Sequence, residues 1–92
     1  MVELSDEQRN KNSEIRRCTD ILEESIPLDA GVGGLSFAAD VRRGAVVLLQ
    51  NGERLATLGR INFNTLKWTW YANSLRHLPG DRTPEDLDRL IN

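Results

Sequence analysis

Apolar positions in the first third of the chain recur at helical spacing. Four of them fall on one helix face, at Ile15, Cys18, Leu22 and Ile26. The residue before a proline avoids helical backbone angles, so Pro27 predicts that this helix ends near residue 25. Residues 6–14 are all polar, so residues 1–14 are predicted to form a polar helical arm whose first turns are solvated and fray.

From residue 35 onward the pattern changes to alternation, which is typical of strands. Strands are predicted over residues 35–41 and 45–50, and Asn51-Gly52 then predicts a tight hairpin, because its turn needs positive φ at both central residues. A second reversal is centred on Asn64-Thr65. A short last helix is predicted to begin with Thr83 as its N-terminal cap and Pro84 as its first residue. The pattern predicts an α+β fold in a single domain over residues 1–92: an N-terminal helix, a four-stranded antiparallel β-meander and a short C-terminal helix.

The two reversals fix a register for the sheet, because regular strands send alternate side chains to opposite faces. The predicted core-face pairs are Val46 with Thr57, Leu48 with Leu55, Gly59 with Trp70, Ile61 with Trp68, and Phe63 with Leu66. The two tryptophans could also form a stacking platform for bases or a peptide. The register favours the core, with Gly59 leaving room for the indole of Trp70.

The opposite sheet face carries cations, hydrogen-bonding groups and one aromatic ring. Seven residues of this face are the predicted partner-binding residues: Arg54, Leu58, Arg60, Asn62, Lys67, Thr69 and Tyr71. Leu58 joins Val47 and Leu49 in an apolar part of the face, which suits a protein partner or a homodimer. The alternative interpretation is an ordinary solvated sheet face.

Charge is unevenly distributed along the chain. The net charge is −2, but residues 1–41 carry four basic and nine acidic side chains, whereas residues 42–82 carry seven basic and two acidic ones. The acidic ends either neutralise the basic sheet within the fold or leave it free for an anionic partner.

The sequence offers few groups for catalysis or cofactor binding. Cys18 and His77 are the only cysteine and histidine, no zinc or EF-hand spacing is present, and the glycines of residues 28–34 follow a helix rather than a strand. We therefore expect no cofactor and no metal. Cys18 lies on the apolar helix face, where a cysteine usually acts as a small buried hydrophobe. A thiol enzyme built on Cys18 and His77 remains a remote alternative.

The sequence also predicts where in the cell the protein resides. The longest apolar run, residues 45–49, is far shorter than the roughly 20 residues that a membrane helix needs. The polar N-terminus does not match a signal peptide, and a lone cysteine suits a reducing compartment. A cytoplasmic protein without a membrane partner is predicted.

Three antiparallel strands followed by a helix, with a basic outer face, resemble the small sheet-and-helix DNA-binding domains of the integrase N-terminal and AP2 kind. The resemblance covers residues 45–91 and is one of topology, so it carries over no functional residue. The acidic N-terminal helix departs from it.

Two functions of different classes follow from these patterns. The first is a non-enzymatic binding or accessory protein, of regulatory or inhibitory type, that docks on a larger protein or assembly through its sheet surface. The alternative is a nucleic-acid-binding module that uses the basic outer face.

Overall fold

The computed structural model describes residues 6–28 and 34–91 of the chain, with side chains from residue 11 onward. The elements in chain order are α1 (Asp6–Ser25), β1 (Leu35–Asp40), β2 (Ala45–Gln50), β3 (Glu53–Ile61), β4 (Trp68–Trp70), α2 (Ala72–Leu75) and α3 (Pro84–Ile91). The predicted α+β fold is confirmed. The one-turn helix α2 was not predicted, and the glycine-rich connection before β1 lies mostly outside the described residues.

The four strands form an antiparallel meander in the order β1-β2-β3-β4. β1 and β2 pair without interruption from Leu35–Gln50 to Asp40–Ala45. The hairpin between β2 and β3 has the predicted turn, since both Asn51 (φ 53°) and Gly52 (φ 83°) have positive φ.

The pairing of β2 with β3 departs from the predicted register at two places. Leu49 pairs with Arg54 as predicted, but Leu48 then pairs with Ala56, which leaves Leu55 as an extra residue. Val47 pairs with Thr57 and Val46 with Gly59, so a second extra residue lies between them at position 58. Each extra residue is a β-bulge, which increases the local twist of the strand.

The bulges overturn two side-chain predictions. Leu55, predicted in the core, is 37% exposed, and Leu58, predicted on the partner-binding face, is fully buried. Both predictions were wrong because they assumed strict alternation along β3. Because there are two extra residues, Gly59 returns to the predicted core face, opposite Val46. The predicted pairs of Gly59 with Trp70 and Ile61 with Trp68 are confirmed.

The loop between β3 and β4 also differs from prediction. The side-chain oxygen of Asn62 accepts hydrogen bonds from the backbone N–H groups of Asn64 (2.8 Å) and Thr65 (3.2 Å), which closes the loop with an Asx-type turn. The regular ladder ends at Ile61, and the backbone N–H of Asn62 adds one further hydrogen bond to the carbonyl of Lys67 at 2.8 Å. Phe63 and Leu66, predicted as a core pair, are 39% and 43% exposed, and Leu66 adopts φ 59°.

The core lies on the sheet face that carries Val46 and Leu48, which we call the core face. Apolar side chains of α1 and α3 pack against it together with residues of all four strands. Trp70 is buried and stacks on Trp68, with ring centroids 5.2 Å apart and an interplanar angle of 13°. A Cβ atom built on Gly59 would lie only 2.4 Å from Cε3 of Trp70, as expected for a glycine that leaves space for the indole.

Polar contacts fix α1 over the sheet. The carboxylate of Glu14 accepts hydrogen bonds from the guanidinium of Arg17 and, at 3.4 Å, from the indole N–H of Trp68. Arg17 also donates to the carbonyl oxygen of Ile91 in α3, and the ammonium group of Lys11 lies 4.9 Å from the ring centroid of Phe63. The polar segment of α1 thus contacts the loop between β3 and β4 at Lys11 and the sheet at Glu14.

Candidate functional site

Because of the two bulges, every third residue of β3 from Arg54 to Arg60 lies on the same face of the sheet. Arg54, Thr57 and Arg60 pair with Leu49, Val47 and Ala45, in that order. Paired residues of neighbouring strands share a face, so these side chains all lie on the face opposite the core, which we call the outer face. Arg54 and Arg60 therefore keep the face that was predicted for them, and Thr57 joins them.

Three arginines surround a concavity on the outer face, which we call the arginine basin. Arg54 and Arg60 come from β3, and Arg43 comes from the turn between β1 and β2; all three side chains are exposed. Together with Ala45 and Thr57 they line a space of ≈ 340 Å³. The guanidinium of Arg54 donates to Oγ1 of Thr57 at 2.5 Å, which orients it along the strand.

One acidic residue lies at the margin of the arginine basin. Asp40 pairs with Ala45, so it belongs to the outer face. Its carboxylate accepts the backbone N–H of Arg43 at 3.2 Å and lies 4.0 Å from Nε of that residue. Among the described side chains, no carboxylate lies within salt-bridge distance of Arg54 or Arg60, so these two cations are available to an anion.

The structure separates the remaining predicted site residues. Thr69 pairs with Arg60 and is exposed, and Tyr71, directly after β4, is 37% exposed. Asn62 uses its side-chain oxygen within its own loop. Lys67 lines a different concavity of ≈ 300 Å³ that also contains Asp88 of α3. Of the seven predicted residues, Arg60 and Thr69 are paired directly, and Arg54 lies on the same face of β3.

The apolar part that was predicted on the outer face is small. Leu58 is in the core, Val47 is only 6% exposed, and Ala45 is 1% exposed at the floor of the basin. Leu49 alone remains half-buried. The homodimer predicted through this part of the face stays a prediction.

Two basin residues, Arg43 and Thr57, were missed by sequence reasoning. Arg43 was assigned to a tight turn, which is where it lies, and its side chain lines the basin together with Ala45. Thr57 was assigned to the core face because alternation was assumed. The spacing Arg-x-x-Thr-x-x-Arg over residues 54–60 is the signal that could have identified the outer face once bulges were allowed.

The residues considered for thiol chemistry are in unsuitable surroundings. Cys18 is fully buried, and burial raises the pKa of its thiol to about 12, so the nucleophilic thiolate is absent at neutral pH. His77 is exposed in the connection between α2 and α3. Among the described residues, no three acidic, histidine or cysteine side chains form a metal-binding group, and no described helix is long and apolar enough to cross a membrane.

Comparisons with known proteins do not add to this geometry. No family model, no curated protein and no solved structure matches the chain. The resemblance to AP2-like domains therefore rests on the order of the elements alone, and the function must be inferred from the site itself.

Proposed function

We propose that this protein is a non-enzymatic binding module, of regulatory or inhibitory type, that docks on a larger protein through its outer sheet face. The arginine basin receives carboxylate side chains of that partner. The observation that carries this proposal is the pair Arg54 and Arg60, which face one concavity and have no carboxylate partner among the described residues.

The chemistry of arginine suits this role. A guanidinium presents several N–H groups in a planar arrangement that matches a carboxylate and can bind it through two parallel hydrogen bonds. Both arginines project from β3. At Arg60 this strand is paired with β2 on one side and β4 on the other, and the side chain of Arg54 is held by its hydrogen bond to Thr57. Less side-chain entropy is therefore lost on binding than with freely mobile cations.

Charge distribution favours a protein over a nucleic acid as the partner. A protein that binds duplex DNA neutralises several phosphates, commonly about six to ten. The basin offers three arginines, one of which is already close to Asp40, in a chain of net charge −2. The lone thiol of Cys18 also suits a partner in the reducing cytoplasm.

A nucleic-acid partner is the second candidate. It is favoured by the alignment of Arg54, Arg60 and Thr69 on adjacent strands, because a two-stranded ribbon can enter a major groove and arginine can read guanine. The two candidates differ in salt dependence, since phosphate binding weakens steeply as salt rises.

Affinity capture from host lysate, with and without nuclease treatment, tests the proposal. The bait is compared with an Arg54→Ala/Arg60→Ala double variant and with a matched Arg16→Ala/Arg76→Ala control, which removes two exposed arginines outside the basin. We expect the parent to capture a protein both with and without nuclease treatment. The basin variant should fail to capture this protein, and the control variant should still capture it. Equal retention by both variants would refute the role of the basin.

A duplex-retention experiment separates the second candidate. If nucleic acid is the partner, binding of a labelled duplex falls with salt, and removing Arg54 and Arg60 reduces the slope of log K against log salt by about 2. Absence of retention at low salt would eliminate the nucleic-acid candidate and leave the protein partner intact.

A further inference from the structure

The outer edge of β1 has no strand beside it among the described residues. β1 is the first strand of the sheet, and its only partner is β2. The backbone N–H of Asn51 donates to the carbonyl of Gly34 at 3.0 Å, which identifies that pair as a hydrogen-bonded one. Because hydrogen-bonded pairs alternate along an antiparallel ladder, the backbone groups of Leu35, Phe37 and Ala39 point away from β2, towards the open edge.

Within its described residues, this edge lacks the proline, lysine and bulges that usually prevent strand addition. Exposed sheet edges are normally protected by proline, lysine, bulges or short length. β1 has six residues in unbroken register and contains neither proline nor lysine. The other edge of the sheet differs, because β4 has three residues and β3 carries both bulges. Only the β1 edge is therefore regular enough to pair with a further strand.

A groove lies directly beside this edge, on the core face. It is formed between the end of α1 and β1 and has a volume of ≈ 200 Å³. Its lining is mostly apolar, with two polar members: Ile26, Leu28, Leu35, Phe37, Glu23 and Ser36. An added strand sends every second side chain to the core face, so the groove is placed to accept one or two of them.

The charge around the groove is acidic. Glu23 lines it, and the second half of α1, residues 18–26, carries three acidic residues and no basic one. Asp20 and Glu24 are exposed on the same helix. A second copy of the chain, paired across a two-fold axis, would bring an identical acidic helix to the same edge, where like charges repel. An occupant with basic residues is complementary.

We propose that the β1 edge and the adjoining groove bind an extended segment of a partner protein as a fifth strand. The segment places alternate apolar side chains in the groove and carries at least one lysine or arginine that faces Glu23. Its backbone pairs with the groups of Leu35, Phe37 and Ala39. This surface is separate from the arginine basin, so the inference stands independently of the function proposed for the outer face.

Panning of a displayed library of random dodecapeptides on the full chain tests this inference. We expect enriched peptides in which apolar residues alternate and at least one residue is basic. A fluorescein-labelled copy of one enriched peptide then gives an affinity by fluorescence polarisation. Two N-methylated versions of this peptide carry the methyl groups on odd or on even amides. The version in which methylation removes the donors that face β1 should lose binding, and the other version should keep it. No enrichment, or full binding by both N-methylated frames, overturns the inference.

A matched pair of variants at Ala39 tests the edge from the protein side. Ala39→Pro removes one outward N–H while sparing the bonds to β2, and a proline is tolerated at an edge in that orientation. Ala39→Val keeps the N–H. We expect about tenfold weaker peptide binding with proline, the equivalent of one hydrogen bond, and less than about twofold change with valine. Equal affinities overturn the inference; if the proline variant does not fold, the N-methylated peptides decide it.

A second matched pair tests the charge. Glu23→Lys and Glu24→Lys make the same charge change on neighbouring residues, but only Glu23 lines the groove. Weaker binding with the first variant alone supports the proposal, and equal effects contradict it. Light scattering tests whether a second copy of the chain occupies the edge instead of a partner segment. A parent dimer that Ala39→Pro converts to monomer would mean that a second copy occupies the edge, and the proposal would then be wrong.

Discussion

Leu55 and Leu58 lie three residues apart in one strand, yet the first is 37% exposed and the second is fully buried. Each falls at one of the two register shifts between β2 and β3. The bulges thus decide which leucine the core contains. They also place Arg54, Thr57 and Arg60 together on the outer face, so the same irregularity shapes the core and the candidate site.

Truncating these two leucines should have very different effects on stability. Leu58→Ala removes a fully buried side chain from the core cluster, so we expect the free energy of unfolding to fall by about 2–5 kcal/mol. Leu55→Ala should cost less than about 1 kcal/mol. Urea unfolding followed by circular dichroism measures both. Equal losses, or a larger loss at Leu55, would show that β3 follows the regular alternation instead.

Gly59 should not tolerate a methyl group. A Cβ atom there would lie 2.4 Å from Cε3 of Trp70 and 2.8 Å from the carbonyl oxygen of Thr69, so Gly59→Ala should destabilise by about 1–3 kcal/mol and displace the indole. Near-ultraviolet circular dichroism of the tryptophans reports the displacement. Gly52→Ala is the control, because a Cβ there meets nothing within 4 Å while its φ of 83° still disfavours alanine. Both variants should lose stability, and only Gly59→Ala should change the tryptophan signal.

Glu14 should contribute to stability in a pH-dependent way. Hydrogen bonds from Arg17, and a weaker one from Trp68, hold the pKa of its carboxyl below the ordinary value of 4.5. A lowered pKa in the folded state means that this contribution is complete above the unfolded pKa and is lost as pH falls through the folded one. Because Arg17 is largely exposed, we expect no more than about 1 kcal/mol.

Unfolding of Glu14→Gln across a pH series tests this expectation. The variant should be less stable than the parent at neutral pH, and the difference should disappear in acid, below the folded pKa of Glu14. Glu24→Gln, on an exposed position of the same helix, should follow the parent throughout. A constant difference at all pH values would assign the loss to packing rather than to the charge of Glu14.

Cys18 should be unreactive in the native protein. Its thiol is fully buried, and that burial raises its pKa to about 12. At neutral pH the thiol is therefore neither accessible to a reagent nor ionised to the reactive thiolate. We expect no reaction with an aromatic disulfide reagent under native conditions and reaction of one thiol per chain in denaturant. Rapid native labelling would contradict the burial and reopen the question of thiol chemistry.

Most of the elements and the hairpin between β2 and β3 were predictable because their signals are local. Asn51-Gly52 specifies its turn through the backbone angles that these residues accept, and Gly59 faces Trp70 because a missing side chain leaves room for an indole. Thr83 and Asp86 exchange backbone-to-side-chain hydrogen bonds at the start of α3, at the cap predicted for that helix. In each case a few neighbouring residues determine the geometry.

The composition of the outer face was only partly predictable. No residue type marks a bulge reliably, and Leu55 and Leu58 are chemically identical, so their opposite placements follow from packing against helices that are distant in sequence. Arg54 and Arg60 kept their predicted face only because they flank both bulges. Lys67 keeps its backbone contact with Asn62, but it follows the irregular loop that Asn62 closes, and it lines a concavity shared with α3.

The two extra residues in β3 also bear on how the length of this segment can change. Each extra residue is absorbed by its own bulge, so the pairs on either side of it keep their partners. Deleting Leu55 would remove the first bulge and leave Gly59 opposite Val46 and Trp70 in the core. β1 and β2 pair without a bulge, so deleting one residue within β1 has no such compensation and would move the residues beyond it to the opposite face. Single-residue changes in length should therefore be better tolerated at position 55 than within β1.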